Sequence, residues 1–492
     1  MSLFTKIYIA FVLSYIYPFA PLFSQSVSPF SYGLRNAKSP VETYRVLLKT
    51  HQEALKNHCQ VDYSGIHELY IEIPEDGVSI PLGGSVDFKG IKLYVSNKAK
   101  DIYLFSLQQT LMPLNLSKDE FVSGRYLNHS KFSDGLSMLV IQDKNLWVNN
   151  RVGYSYGATR KDLVLVKQGM ALNIPVAPYD TEKSQPIFYY CKTSEDEKVI
   201  ENLDFIRTAD CCFKTYCVRI ENQNHVTLRN IKIKTPDSDL YGDAAITVNN
   251  SANTKLENIN IEGTYSQLKT YGYGVMFNNV WNTRIIGMKA CAKWGVFGTN
   301  NVNQVQLEDC DINRFDIHCY GRDVYMENCR FIGLYNQYSS VYGTVYHKNC
   351  IFDQAIPCLI EGSYNAYTPF DLIFDRCTFK MSAQKNTIVS MHGLSDEKNS
   401  RPELTKKCIP NVYLKRCKLL ALESLKNWRI FELRWNCKLT ERVGYCSDID
   451  IRRLHVYGND VEFSLFNVNV STENKLDCQF KRWKVIRDSL KY

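Results

Sequence analysis

Residues 315–323 read Phe-Asp-Ile-His-Cys-Tyr-Gly-Arg-Asp, the densest gathering of reactive side chains in the sequence. On a strand, successive side chains point to opposite faces. That alternation turns Ile317 and Cys319 inward and sends Asp316, His318, Tyr320 and Arg322 to one outer face. An acid, an imidazole, a phenol and a guanidinium in a row suit proton abstraction beside a carboxylate, or protonation of a leaving group. In this reading His318 and Tyr320 transfer protons, Asp316 orients His318, and Arg322 or Lys293 neutralises an acidic substrate group. The competing reading is a solvated strand face with an ordinary Asp–His hydrogen bond. Matching segments widen the band: Asp243, Tyr271, Tyr273, Lys293 and Trp294 precede it, and Tyr342, Glu361 and Tyr364 follow. Asp243 and Glu361 are candidate second carboxylates, and the tyrosines and Trp294 are candidate binding surfaces. A weaker band holds His392, Glu432 and Arg434. No zinc or calcium ligand spacing and no serine elbow occurs, so the expectation is chemistry without metal or cofactor.

Something must hold those residues in line, and the second half of the sequence says what. From about residue 220 one pattern recurs: an alternating apolar strand, a polar residue, an apolar residue or Cys, then a second alternation. Aligned on the apolar-or-Cys position, the units centre on Ile231, Ile259, Met288, Cys310, Cys329, Cys350, Cys377, Cys417 and Leu454. The intervals are 28, 29, 22, 19, 21, 27, 40 and 37 residues, with loop insertions in the last two. A drifting period of this size is that of a strand solenoid, whose units bury their apolar faces only by stacking. Asn pairs at Asn249–Asn250, Asn278–Asn279 and Asn300–Asn301 end strands and suit turns and coil-to-coil hydrogen bonds. Two-residue hairpin turns are almost absent between these strands, which favours parallel coils over an antiparallel sandwich.

The expected fold is therefore all-β, a right-handed parallel β-helix with an N-terminal cap. Residues 1–24 read as a signal peptide: Lys6 precedes an apolar run broken by Pro18 and Pro21, which makes a poor membrane span. Residues 25–200 are expected to form the cap, with a short helix near 44–57, and irregular first coils. Residues 201–460 are the regular helix, and 461–492 a C-terminal cap. Export would normally bring disulfides, yet the 17 cysteines are an odd number. Five of them share the inward repeat position, so a stack of free thiols is expected, with Cys437–Cys446 the best disulfide candidate. The net charge of +8, 59 basic against 51 acidic residues, is diffuse. Without a dense basic run it excludes a nucleic-acid partner. Oligomeric state is not legible.

The coil spacing, Asn ladder and Cys stack resemble the pectate-lyase-like right-handed β-helix superfamily. The segments YGYGVMFNNVWN and RFDIHCYGRDVYMENC are also similar to secreted β-helix proteins of gut Bacteroidetes. The resemblance implies a polysaccharide partner, possibly acidic, cleaved by hydrolysis or elimination in a groove on the helix face. It implies a secreted, periplasmic or cell-surface location. The family's paired-Asp and RxxRxP motifs are absent, so no catalytic residue carries over. Hydrolysis would need two carboxylates about 5–9 Å apart. Asp316 has Glu361 or Asp243 as partners two to three coils away, at about 4.8 Å per coil. Elimination needs only base, acid and cation. The rival readings are a non-catalytic glycan-binding or envelope-structural β-helix, and a depolymerase resembling phage tailspikes.

Overall fold

The computed structural model describes residues 26–122, 127, 129–150, 157–176, 179, 182–235, 245–263, 273–290, 295–339, 341–361, 370–392, 410–425, 428–434, 449–458, 463–469 and 483–485. The proposed signal peptide and Cys437–Cys446 lie outside them. Strand pairs with strand of the next coil, parallel throughout one 28-stranded sheet system, a right-handed β-helix. The repeat alignment holds coil by coil. Ile231 pairs with Ile259. The residues following the later alignment positions pair in sequence: Asn260, Lys289, Asp311, Arg330, Ile351, Thr378, Lys418 and His455.

The residue before each alignment position explains the period. Asn230, Asn258, Gly287, Asp309, Asn328, Asn349, Arg376, Arg416 and Arg453 all have φ between 53° and 65°. This left-handed corner bends the chain into the next sheet, and Asn, Asp and Gly enter it most easily. Asn side chains stack there: Asn230 Nδ2 donates to Asn202 Oδ1 at 3.0 Å, and Asn349 Nδ2 to Asn328 Oδ1 at 3.2 Å. Where Arg replaces Asn, the cation finds a carboxylate, as Arg416 does on Asp375. The corner throws the next side chain into the core. There Cys310, Cys329, Cys350, Cys377 and Cys417 are buried free thiols. The Asn pairs build two further ladders, with Asn278 Nδ2 donating to Asn249 Oδ1 at 2.9 Å and Asn279 Nδ2 to Asn250 Oδ1 at 3.0 Å.

The N-terminal end is closed by the helix Pro40–Lys56, capped by Ser39, which accepts from the Glu42 amide. Its buried face (Tyr44, Leu47, His51, Ala54) joins the main core. The first coils lie within residues 25–200. Glu68–Ile73 and Val86–Asn97 already pair in parallel, and Val86–Asn97 pairs on with Lys198–Arg207. Residues between them make an excursion instead of irregular coils. Met112–Leu114, Leu136–Asn150, Gly157–Lys167, Met170–Ala171 and Pro186–Thr193 form a five-stranded antiparallel sheet. One face carries its own core around Phe132, Leu139, Ile141 and Val164. The other face, with Met138, Val140, Leu163 and Leu165, packs on Ala252 of the β-helix. At the far end, Phe463–Asn469 and Trp483–Val485 continue the parallel stack into the segment read as a C-terminal cap. Among the described residues no helix is long and apolar enough to cross a membrane.

Candidate functional site

The strand Asp316–Glu327 does not alternate as its sequence suggests. Thr299 pairs with Ile317 and the next residue, Asn300, with Cys319, so His318 is the extra residue of a β-bulge. A bulge re-aims one side chain and shifts those beyond it by one position. Tyr320 consequently lands in the left-handed corner, with φ 63°, opposite Asn301 of the coil before. The outer-face row of four expected from period-two alternation therefore splits into two groups.

The first group is Asp316 and His318. Asp316 is fully buried, and its Oδ1 accepts from Arg314 Nε. Arg314 is itself buried, donates to Gln337 Oε1 at 3.2 Å, and lies 4.2 Å over the Tyr335 ring. Asp316 Oδ2 sits 3.6 Å from His318 Nε2, and the His318 side chain is 12 % exposed. Tyr273 completes the set, its hydroxyl 2.7 Å from His318 Nε2. The Tyr273 ring lies across Gly298, where a Cβ would meet ring atoms at 2.8 Å. A glycine there is thus what lets the phenol reach the imidazole. The expectation that Asp316 is a solvated outer-face carboxylate is corrected: no solvent reaches it. His318 and Tyr273 remain the groups a substrate could touch.

The second group belongs to the inserted sheet. The Tyr320 hydroxyl donates to Asp162 Oδ2 at 3.3 Å, Tyr179 donates to the same oxygen at 2.5 Å, and Arg160 Nε binds it at 3.0 Å. Burial pushes the Asp162 carboxyl up, against the Arg160 guanidinium, which pulls it down. Arg322 Nη1 donates to the Val176 carbonyl at 2.9 Å, and Tyr342 meets the Tyr320 ring edge-on. Tyr320 and Arg322 are corrected from groove residues to docking residues, and Tyr342 from a groove residue to one packed on Tyr320 from the next coil. The shift by the bulge turns Tyr320 and Arg322 onto the insertion.

Asp243, Tyr271, Lys293, Trp294 and Tyr364 lie outside the described residues. Glu361 is placed by its backbone, paired with His392, two coils beyond Asp316. Glu432 is buried four coils beyond Asp316 and is held by Arg429 at 2.8 Å and by Ser390 at 3.4 Å. Sequence reasoning missed Arg314 and Gln337, although Arg314 shares the alternation of Asp316. It also missed Asp162, whose partner Tyr320 is 158 residues away. Among the described residues no group of three or more His, Cys, Asp or Glu gathers as a metal site.

Chemically, the Tyr273 hydroxyl and, at 3.6 Å, the Asp316 carboxylate both lie at Nε2 of His318, and Arg314 neutralises that carboxylate from behind. The Tyr273 hydroxyl fixes the ring.

No protein-family profile and no curated sequence matches the chain. Solved structures do. The tailspike gp49 of Pseudomonas phage LKA1 is similar over 90 % of this chain and 81 % of that one, at 13 % identity and a TM-score of 0.50. The tailspike gp61 of Pseudomonas phage phi297 is similar at 12 % identity and a TM-score of 0.45, over 88 % of this chain and 80 % of its own. The tailspike Gp54 of the Acinetobacter baumannii phage AP22, solved with a capsular saccharide, is similar at 10 % identity and a TM-score of 0.46, over 89 % and 79 %. At 13 % identity the likeness to gp49 is one of fold alone, the parallel β-helix.

Proposed function

We propose that this chain is an exported carbohydrate-active β-helix protein that cleaves a polysaccharide laid across its coils, with His318 as the proton-transfer group. The observation that carries the reading is the cluster of Tyr273 and Asp316 around His318 Nε2, assembled by a β-bulge and a glycine at one point of a long regular stack. In elimination, His318 would take the proton beside the uronate carboxylate, and those electrons would form the new double bond as the glycosidic oxygen leaves. In hydrolysis, it would give a proton to that oxygen while water attacks. The Lys6-led apolar segment supports export, and the likeness to secreted β-helix proteins of gut Bacteroidetes belongs with it. A second reading, non-catalytic glycan binding, is favoured by the pairing of buried Asp316 with Arg314.

The test compares the purified chain with His318→Ala and Tyr273→Phe on acidic and neutral polysaccharides. New reducing ends and the ultraviolet absorbance of unsaturated uronates are followed together. Cleavage that falls by roughly 10²-fold or more in His318→Ala is expected for a proton-transfer group. Absorbance separates elimination from hydrolysis. Cleavage unchanged in His318→Ala would sink the assignment, and bound but uncut glycan would favour the second reading.

A further inference from the structure

Between the inserted sheet and the β-helix turns lies a cleft of about 460 Å³ that shares no residue with the His318 site. That volume falls within the roughly 300–1,000 Å³ of small-molecule sites. One wall is apolar, made by Leu136, Leu165 and Leu172 of the insertion. The other is a ladder of carboxamides. Asn253 Nδ2 donates to Asn224 Oδ1 at 2.8 Å, and Asn282 Nδ2 donates to Asn253 Oδ1 at 2.6 Å. A carboxamide has two N–H donors and two acceptor lone pairs. The ladder uses one of each at Asn253, so a donor and an acceptor remain there, with Asn282 one coil away at about 4.8 Å.

The charges lining the cleft come balanced. Lys255 pairs with Glu257 at 3.1 Å and Arg284 with Glu308 at 2.8 Å. Glu195 and Glu197 also line it, Glu195 paired with Lys167 at 2.7 Å. A polyanion would meet these carboxylates with cations already engaged. An uncharged polyol meets no such penalty, and its hydroxyls both donate and accept.

We propose that this cleft binds a short stretch of neutral glycan, hydroxyls on the Asn ladder and a C–H face on the leucines. The site is distinct from the His318 face, so it stands or falls separately. Calorimetric titration of the full chain with maltohexaose, cellohexaose, mannohexaose and hexagalacturonate tests it. A neutral hexaose should bind saturably, and hexagalacturonate should not compete. Leu172 is 45 % exposed, so Leu172→Arg should fold and weaken binding roughly tenfold or more, about 1.4 kcal/mol. His318→Ala should leave this binding unchanged. Perturbed Leu165 and Leu172 methyl resonances on titration locate the ligand independently of any variant. The proposal is overturned if no neutral hexaose binds at millimolar concentration, if Leu172→Arg binds equally, or if the leucine methyls do not move.

Discussion

A carboxylate shut away from water takes its chemistry from its neighbours, and for Asp316 the nearest is the buried Arg314 guanidinium. Removing one partner of a buried pair strands the other charge. Asp316→Asn is therefore expected to cost about 3–5 kcal/mol in denaturant unfolding. The double variant Asp316→Leu, Arg314→Met should recover most of that loss. A loss below about 1 kcal/mol in the single variant, the range of exposed pairs, would show that Arg314 does not depend on Asp316. At this scale the sequence marks a chemically dense segment but not its geometry. Asp316, His318 and Tyr320 stand out by residue type. The bulge at His318 is set by how its coil seats on Thr299 and Asn300, and nothing in residues 315–323 encodes that neighbour. One extra residue was enough to send Tyr320 and Arg322 to a different partner.

The elements divide in the same way. The coil register was legible because every corner repeats one conformational demand, a left-handed residue followed by an inward one. The Cys stack follows from it. Native protein treated with a thiol reagent should label Cys212, which is exposed, while peptides carrying Cys310, Cys329, Cys350, Cys377 and Cys417 stay unlabelled until unfolding. Burial pushes Cys358 and Cys217 up, which slows any reaction of theirs that needs thiolate. Rapid native labelling of Cys350 would contradict the stack. The inserted sheet was not legible. Its strands Leu136–Asn150 and Gly157–Lys167 carry the same alternation as coils, and their antiparallel pairing depends on the connection between them. The insertion also separates Ile91 from Leu203, its partner in the next coil.

Across the whole molecule, two buried imidazoles set a response to acid. His51 lies under the N-terminal helix against the Tyr63 hydroxyl at 2.8 Å, and His347 stacks on Phe374 within the coils. Burial pulls each down to about 3. The unfolded chain titrates these groups near 6.5, so above that pH their neutral burial is without penalty. As pH falls toward 3 the unfolded chain binds protons that the folded chain refuses. Stability then drops by up to about 1.4 kcal/mol per pH unit per histidine. Unfolding midpoints measured from pH 7 to pH 4 should fall, and His347→Phe should flatten the slope; an unchanged slope would refute that share. The inserted sheet adds a different global property. It touches the turns of five successive coils, through Asn224, Ala252, Asn279, Asn301 and Tyr320. A solenoid couples only nearest neighbours and can fray one unit at a time. A splint across five units makes them open together or not at all. Erosion running in from the C-terminal end would meet that splint at the coil of Tyr320, which leaves His318 on the last coil inside the protected block.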